Sequence, residues 1–353
     1  MLQKCKRLHC AKQALTLSEG MTNAARPTLQ DVAVAAGVST ATVSRALNDP
    51  DKVGKAARDK IDAAIMDLGY TPNFGARALA TNKTNTVGAI IPALSNAMFA
   101  SGIQAFQEVL AEAGITLLIA TSGYDPDMEL RQIKLLAGQG ASGLLLIGDE
   151  RPQKTKDYLA ARRIPHVLSW SFADNADQTF VGFDNYAAAY DATNRVIAQG
   201  HKRIAIVAGQ CAHNDRARAR RDAMIAAISD AGAELTSVTE APYRIEAGRQ
   251  ACVDLLDAKP TAIICGNDVL AAGAMVGARD AGLDVPREIS VIGFDDIGIA
   301  SVVTPPMTTV RVPQIEMGRT AAKTLLDMVT GKPVQSTKLD TQFIARGSLG
   351  PAP

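Results

Sequence analysis

Apolar residues recur at two different periods along this chain, and the change of period divides it. From Thr28 to Asn48 the run TLQDVAVAAGVSTATVSRALN carries Leu29, Val32, Ala33 and Ala36, then Val43, Ala46 and Leu47, at helical spacing. The pattern predicts two short helices joined by a tight turn. Thr28 stands three residues before Asp31, in capping-box register. Gly37 supplies the left-handed residue that ends the first helix, and Ser39 caps the second. Val43, Ala46 and Leu47 face back toward the first helix, which leaves Thr40, Ala41, Thr42, Ser44 and Arg45 outward. A third helix is expected over Lys55 to Leu68, with Ile61, Ala64, Ile65 and Leu68 on one face, broken by Gly69-Tyr70-Thr71-Pro72. Asn73 to Ala80, NFGARALA, has good helix formers but little apolar face, and so short a segment is only marginally helical alone. Thr81 to Thr86 reads as a polar linker.

From Val87 the pattern becomes short apolar runs alternating with amphipathic stretches. VGAIIP (87–92), ITLLIA (115–120), GLLLIG (143–148) and HVLSW (166–170) read as buried parallel strands, with helices near 98–113, 127–139 and 152–163 between them. A second array follows: a strand at 203–209, a long helix at 215–231, a strand near 235–240 and a helix at 246–258. Next come a strand at 262–266, a helix at 268–281 and a strand at 289–296. The strand phase breaks near Val181-Gly182-Phe183-Asp184-Asn185, which places a crossing between two subdomains there. A return crossing near Thr309 to Val312 precedes a helix at 313–330 and a last strand at 341–346. The expected fold class is an all-α helix-turn-helix head followed by α/β architecture, two doubly wound parallel-sheet subdomains.

The expected domains are an N-terminal extension (1–26), disordered and without assigned function, and a helix-turn-helix domain (27–71). A hinge and linker (72–86) lead to an effector-binding and dimerisation domain (87–353). Within the last, the N-subdomain covers 87–184 and 313–339, and the C-subdomain covers 185–312 and 340–353. The head could begin at Met21, so residues before it read as an upstream start or a disordered arm.

Charge sharpens this division. Residues 1–85 hold 12 Lys and Arg against 7 Asp and Glu, and the remainder holds 25 against 29, although the whole chain is +1. The surplus of basic charge lies with the helix-turn-helix, as phosphate binding requires. Lys55, Arg58 and Lys60 are further phosphate candidates. Five scattered cysteines lack a CxxC pair, and Cys5, His9 and Cys10 have no second ligand cluster nearby. Reduced thiols of a cytoplasmic protein, with no metal and no cofactor, are the simpler reading. No apolar run reaches the roughly 18 residues of a membrane span.

The outward face of the second helix offers short hydroxyl and methyl groups plus one guanidinium, a surface suited to a major groove. An ordinary αα-hairpin is the alternative for the bare pattern. The residues Asp31-Val32-Ala33, Ala36-Gly37-Val38-Ser39, Thr42-Val43-Ser44-Arg45 and Leu47-Asn48 reproduce a longer signature, and on them this segment resembles the DNA-binding head of the lac repressor family. The resemblance extends over nearly all of 27–349 through Gly200-His201, Cys265-Gly266-Asn267-Asp268, Gly293-Phe294-Asp295-Asp296 and Pro306-Met307-Thr308-Thr309-Val310. The runs at 123–129 and 181–185 look like those of gluconate-utilisation repressors within it. The resemblance implies a homodimer on a near-palindromic double-stranded operator, regulated by a small sugar or sugar acid, with an effector domain like periplasmic sugar-binding proteins. DNA contacts are then expected from Thr28, Ser39, Thr40, Ala41, Thr42, Ser44, Arg45 and Asn48. In the hinge, Leu79 would wedge between base pairs, Ala76 would lie against the minor-groove floor, and Asn73 and Arg77 would hold backbone.

In doubly wound folds ligands lie beyond the carboxyl ends of the strands. That rule selects Ser95, Asn96, Met98, Phe99, Ser122, Trp170, the 210–220 segment, Asn267, Asp268 and Asp295. By resemblance Arg220 is a clamp, Asp295 a hydroxyl acceptor, Asn267 a polar contact and Tyr243 a stacking ring. Trp170 either stacks on the ligand or fills the core. A guanidinium suits a carboxylate, which favours a sugar acid. Arg216, Arg218 and Arg220 cannot share one helix face, so one or two are expected toward solvent or a second subunit. Ala223 stands where the family usually has glycine. Asp268, Asp295 and Asp296 could be read as catalytic, but no nucleophile–base pair or phosphate loop accompanies them, so no enzyme is expected. A transport solute-binding protein would share the cleft yet has no use for residues 28–80. Gly347 to Pro353 lacks a leucine heptad, so no coiled-coil tetramerisation tail is expected.

Overall fold

The computed structural model describes residues 27–71, 84–174 and 177–353; contacts divide the chain into one unit ending at Asn82 and another running from Lys83 to Pro353. The hinge candidates Asn73, Ala76, Arg77 and Leu79, and Cys5, His9 and Cys10, lie outside the described residues.

In the first unit, α1 (Leu29–Ala36), α2 (Thr40–Asn48) and α3 (Lys55–Leu68) enclose a small core of Val32, Ala33, Ala36, Val43, Ile61, Ala64 and Tyr70. The caps follow the sequence. The Thr28 backbone N–H donates to Asp31 Oδ2 at 2.7 Å, and the Asp31 N–H donates to Thr28 Oγ1 at 3.3 Å. Gly37 ends α1 at φ 65°, a conformation that costs a side-chain-bearing residue energy. The Thr42 N–H donates to Ser39 Oγ at 3.1 Å at the start of α2. One expectation fails: Leu68 is exposed rather than inward. Gly69 turns the chain at φ 61° and Tyr70 enters the core in its place.

The second unit holds two parallel sheets. The first has the order β2 (Thr116–Thr121), β1 (Thr86–Ile91), β3 (Leu144–Ile147), β4 (His166–Ser169), β5 (Phe180–Gly182) and β11 (Thr337–Lys338). The second has the order β7 (Glu234–Ala241), β6 (Arg203–Gly209), β8 (Ala262–Cys265) and β9 (Ser290–Ile292). The helices are α4 (Ala97–Glu112), α5 (Pro126–Gly138), α6 (Gln153–Ala161), α7 (Asn185–Ile197), α8 (Asp215–Asp230), α9 (Ile245–Leu255), α10 (Asp268–Asp280), α11 (Ile299–Val302) and α12 (Gln314–Val329).

Central strands are apolar on both faces because helices cover both. Val87, Ala89 and Ile91 join one core cluster while Ile90, Leu144 and Leu146 join another, as two-residue alternation demands. ITLLIA departs from the buried reading: as edge strand β2 it is only partly covered, and Ile119 is 45% exposed. Helix α7 carries no obvious sequence signal, since its inward face is Ala188, Ala189, Ala192, Thr193 and Val196.

The chain passes between the two lobes at three places. It leaves the first sheet after β5 and enters α7, which packs on α8. It returns through β10 (Thr309–Arg311) into α12, which packs on α4. It crosses again after β11 into β12 (Gln342–Ile344), and β10 and β12 pair antiparallel as a separate ribbon.

Candidate functional site

On α2, Ala41 and Arg45 are exposed, and Thr40, Thr42, Ser44 and Asn48 are half-buried. Thr42 Oγ1 is 2.8 Å from Ser39 Oγ, so its hydroxyl is engaged by the cap, and Asn48 leans on Ser44 at 3.4 Å. Thr28 also serves the capping box. The groups left on the open face are therefore the Arg45 guanidinium, the Ala41 methyl and the Thr40 side chain. Among the described residues Arg45 makes no ion pair. Arg58 of α3 is 3.8 Å from Asp51, which partly neutralises it.

The second unit places its candidates around one buried polar centre. Arg220 is 3% exposed and donates from Nη1 to Asn185 Oδ1 at 2.7 Å. Asn185, the first residue of α7, donates from Nδ2 to the Trp170 carbonyl at 2.9 Å. The Arg220 guanidinium carbon lies 4.8 Å from the Phe294 ring centroid, and Phe294 stacks on Phe183 at 6.2 Å. Tyr243 is half-buried, accepts from Arg220 Nη2 at 3.5 Å and from Asn214 Nδ2 at 3.3 Å. Its hydroxyl packs where a Gly209 side chain would stand, so any larger residue at that strand end would have to displace Tyr243.

Trp170 is fully buried, with Phe99 edge-on at 5.4 Å and Gly102 of α4 against its six-membered ring. It fills the core along that side, and its indole Nε1 has no hydrogen-bond partner. Three other candidates share this condition. Arg220 Nε, Asn267 Nδ2 and both carboxyl oxygens of Asp295 are buried without partners. Asn267 spends its Oδ1 on the α10 cap, accepting from the Leu270 N–H at 2.9 Å. Burial holds the Asp295 carboxyl well above the ordinary carboxylate range, against the pull of Arg220, and Asp268 pushes it further up. Buried polar atoms are almost always paired, and these exceptions fall together on four of the candidates.

Backbone strain gathers in the same region. Tyr124, Trp170, His213, Asp295 and Asp296 are non-glycine residues at φ 62°, 61°, 55°, 113° and 53°. Such conformations persist where surroundings over-determine them, and functional sites are common among these places.

Not every candidate joins the centre. Met98 and Phe99 are buried at the start of α4, but Ser95 is exposed just before the Asn96 cap. Ser122 lies by an outer polar cavity with Tyr124, His213 and Arg216. Tyr124 connects it to the centre, its ring 6.2 Å from that of Tyr243. Arg216 and Arg220, one turn apart, share the buried face of α8. Arg218 alone of the three turns its side chain toward solvent, 39% exposed, and there it pairs with Glu150 at 2.7 Å, across the lobes. Asp215 likewise accepts from the Asp149 N–H at 2.7 Å and pairs with Arg216 at 2.7 Å. Ala223 is buried without exposure and is accommodated in the core. Asn185 and Tyr124 escaped the candidate set, because what they touch is set by tertiary structure; the strained φ of Tyr124 is invisible in sequence.

The remaining aspartates have structural duties. Asp296 is held by Arg311 at 2.7 Å and Arg346 at 2.6 Å. Asp268 accepts from Thr309 Oγ1 at 2.5 Å and from the Ile297 N–H at 2.8 Å. Among the described residues no cluster of His, Cys, Asp and Glu could hold a metal, and no helix is long and apolar enough to cross a membrane.

Comparison with known proteins places this geometry. Residues 28–73 match the model for bacterial regulatory proteins of the lacI family, and residues 193–349 match that for a periplasmic binding protein-like domain. The chain is 35% identical over 332 residues to the HTH-type transcriptional repressor CytR of Escherichia coli (strain K12), covering 92% of this chain and 97% of that one. Among solved structures, the lac repressor dimer bound to operator and the anti-inducer ONPF is similar at a TM-score of 0.83 and 26% identity, over 92% of this chain and 99% of that one. A CelR–cellobiose complex is 31% identical at a TM-score of 0.66, over 92% of this chain and all of the other. With a capped helix-turn-helix, two parallel-sheet lobes and relatives of this extent, the chain belongs to the lacI family of bacterial regulatory proteins and is a DNA-binding transcriptional regulator.

Proposed function

We propose that the protein is a repressor that grips a near-palindromic operator as a homodimer and answers to a polyhydroxylated metabolite, a sugar or sugar acid, bound between the lobes of residues 84–353. The observation that carries the effector reading is the set of buried polar atoms without partners on Trp170, Arg220, Asn267 and Asp295. Three N–H donors and a carboxyl that accepts, and also donates when protonated, suit a ligand whose hydroxyls both donate and accept. Phe99, Met98 and Tyr243 supply apolar surface beside them. The relatives support the class: one solved structure holds cellobiose, and another holds operator and an anti-inducer.

On the DNA side, α2 enters the major groove with Thr40, Ala41 and Arg45 at base edges, and Thr28, Ser39, Thr42, Ser44 and Asn48 position it. The hinge residues Asn73, Ala76, Arg77 and Leu79 follow into the minor groove by family resemblance. Ligand closure of the lobes changes how the paired heads meet the operator and releases it, to an extent set by the ligand's differential affinity for the two states. The Asp149–Asp215 and Glu150–Arg218 contacts support a closed arrangement of the cleft.

A thermal-shift screen of gluconate, other aldonates, hexuronates and neutral sugars, with Arg220→Ala and Asp295→Asn beside the wild type, tests the effector. A raised Tm with one member, lost in both variants, is the expected result. Stabilisation that survives both substitutions places the effector elsewhere.

A further inference from the structure

A groove on the second unit lies away from the effector cleft. It is lined by Lys134, Ser142, Tyr158, Arg162, Arg163 and Pro165. Lys134 Nζ lies 5.3 Å and the Arg162 guanidinium carbon 5.9 Å from the Tyr158 ring centroid. These cation–π contacts hold two charges at the groove without neutralising them. Among the described residues neither they nor Arg163 forms an ion pair, whereas Arg151, Arg203, Arg249 and Arg346 each face a carboxylate. Lys134, Arg162 and Arg163 are exposed. Three unpaired cations thus gather in a region of the chain whose formal charge is negative overall.

Parallel register fixes where this groove stands. Ser142 and Pro165 precede β3 and β4, so the groove is at the amino ends of the strands, opposite the ends that build the effector site. The Ser142 hydroxyl donates to the Thr86 carbonyl at 2.8 Å, and Thr84 donates to the Gly140 carbonyl. Thr84 is the first described residue of this unit, so the chain coming from the helix-turn-helix joins the sheet beside the groove.

We infer that the Lys134–Arg162–Arg163 groove binds the phosphate backbone of duplex DNA flanking the operator. This rests on the DNA-binding reading. It adds a sequence-independent contact made by the effector-binding unit. Phosphates bind such cations by displacing condensed counterions, so each contact steepens the salt dependence of binding. The groove would lengthen the footprint and add affinity without adding base preference.

The test uses the full-length protein and its Lys134→Gln/Arg162→Gln/Arg163→Gln variant. A duplex is first selected from random sequence by the wild type, then prepared as the bare operator and with ten added base pairs on each side. On the long duplex, the variant should lose roughly one unit of slope in log K against log salt per lost contact, up to about three for each protomer of the dimer. On the bare operator the two proteins should match. Equal gains from the flanks in both proteins overturn the inference while leaving operator binding intact. Failure of the wild type to select any duplex overturns the DNA-binding reading itself. Far-ultraviolet circular dichroism, expected unchanged, and Tm, expected to fall only slightly with loss of the two exposed cation–π contacts, separate loss of contact from loss of fold.

Discussion

Arg220 and Asn185 meet at 2.7 Å inside the protein, and through this contact a cation on α8 is tied to the carbonyl of Trp170 at the end of β4. The two ends of that relay belong to different lobes, and Asn185 is the first helical residue after a crossing. Removing the amide leaves a buried guanidinium N–H and a carbonyl without partners, at a cost of about 1–3 kcal/mol. Asn185→Ala should therefore lower Tm and weaken effector binding, although Asn185 need not touch the effector. Chemical denaturation together with ligand titration checks this, and an unchanged Tm would contradict the relay.

Trp170 is the only tryptophan of the chain, and its unpaired Nε1 sits in the polar centre. Effector binding should change its emission intensity and wavelength, and Trp170→Phe should abolish the signal. Calorimetric binding without any emission change would place the ligand away from this residue.

Asp268 gives a pH dependence. Burial pushes its carboxyl up from 3.8 to about 7, against the hydrogen bonds from Thr309 and Ile297. The folded state thus holds a proton over a range in which the unfolded chain releases it. The associated stability is fully present below about pH 4 and is lost as pH rises to about 7, by at most about 4 kcal/mol. Denaturation midpoints across that interval should fall for the wild type and vary less for Asp268→Asn. Parallel slopes in the two proteins would count against the assignment.

The head offers two separable substitutions. Arg45→Ala should leave its folding untouched, because the side chain is exposed, yet cost roughly 1–3 kcal/mol of base discrimination. Ser39→Ala removes a cap and should lower the stability of the head by about 1 kcal/mol. Binding to operator and to random duplex, measured beside thermal unfolding, distinguishes the two effects.

Much of this was legible in the chain. Thr28, Asp31, Gly37 and Ser39 announce their helix ends because capping is chemistry between near neighbours. Central strands such as Leu144–Ile147 announce themselves by uninterrupted apolar residues. Helix α7 did not, because alanines serve equally on an inward or outward face. Strand β2 misled for the opposite reason: apolar content does not distinguish an edge from a centre. Arg220, Asn267, Asp295 and Trp170 were nameable from strand ends and family signatures. Asn185 and the Arg218–Glu150 pair were not, since their partners lie 15 to 68 residues away.

The three strands of backbone that join the lobes have a mechanical corollary. Any movement of one lobe against the other must be absorbed in three separate straps, two of them laced into the β10–β12 ribbon. The straps are therefore the place where a small molecule lodged between the lobes would be felt as displacement.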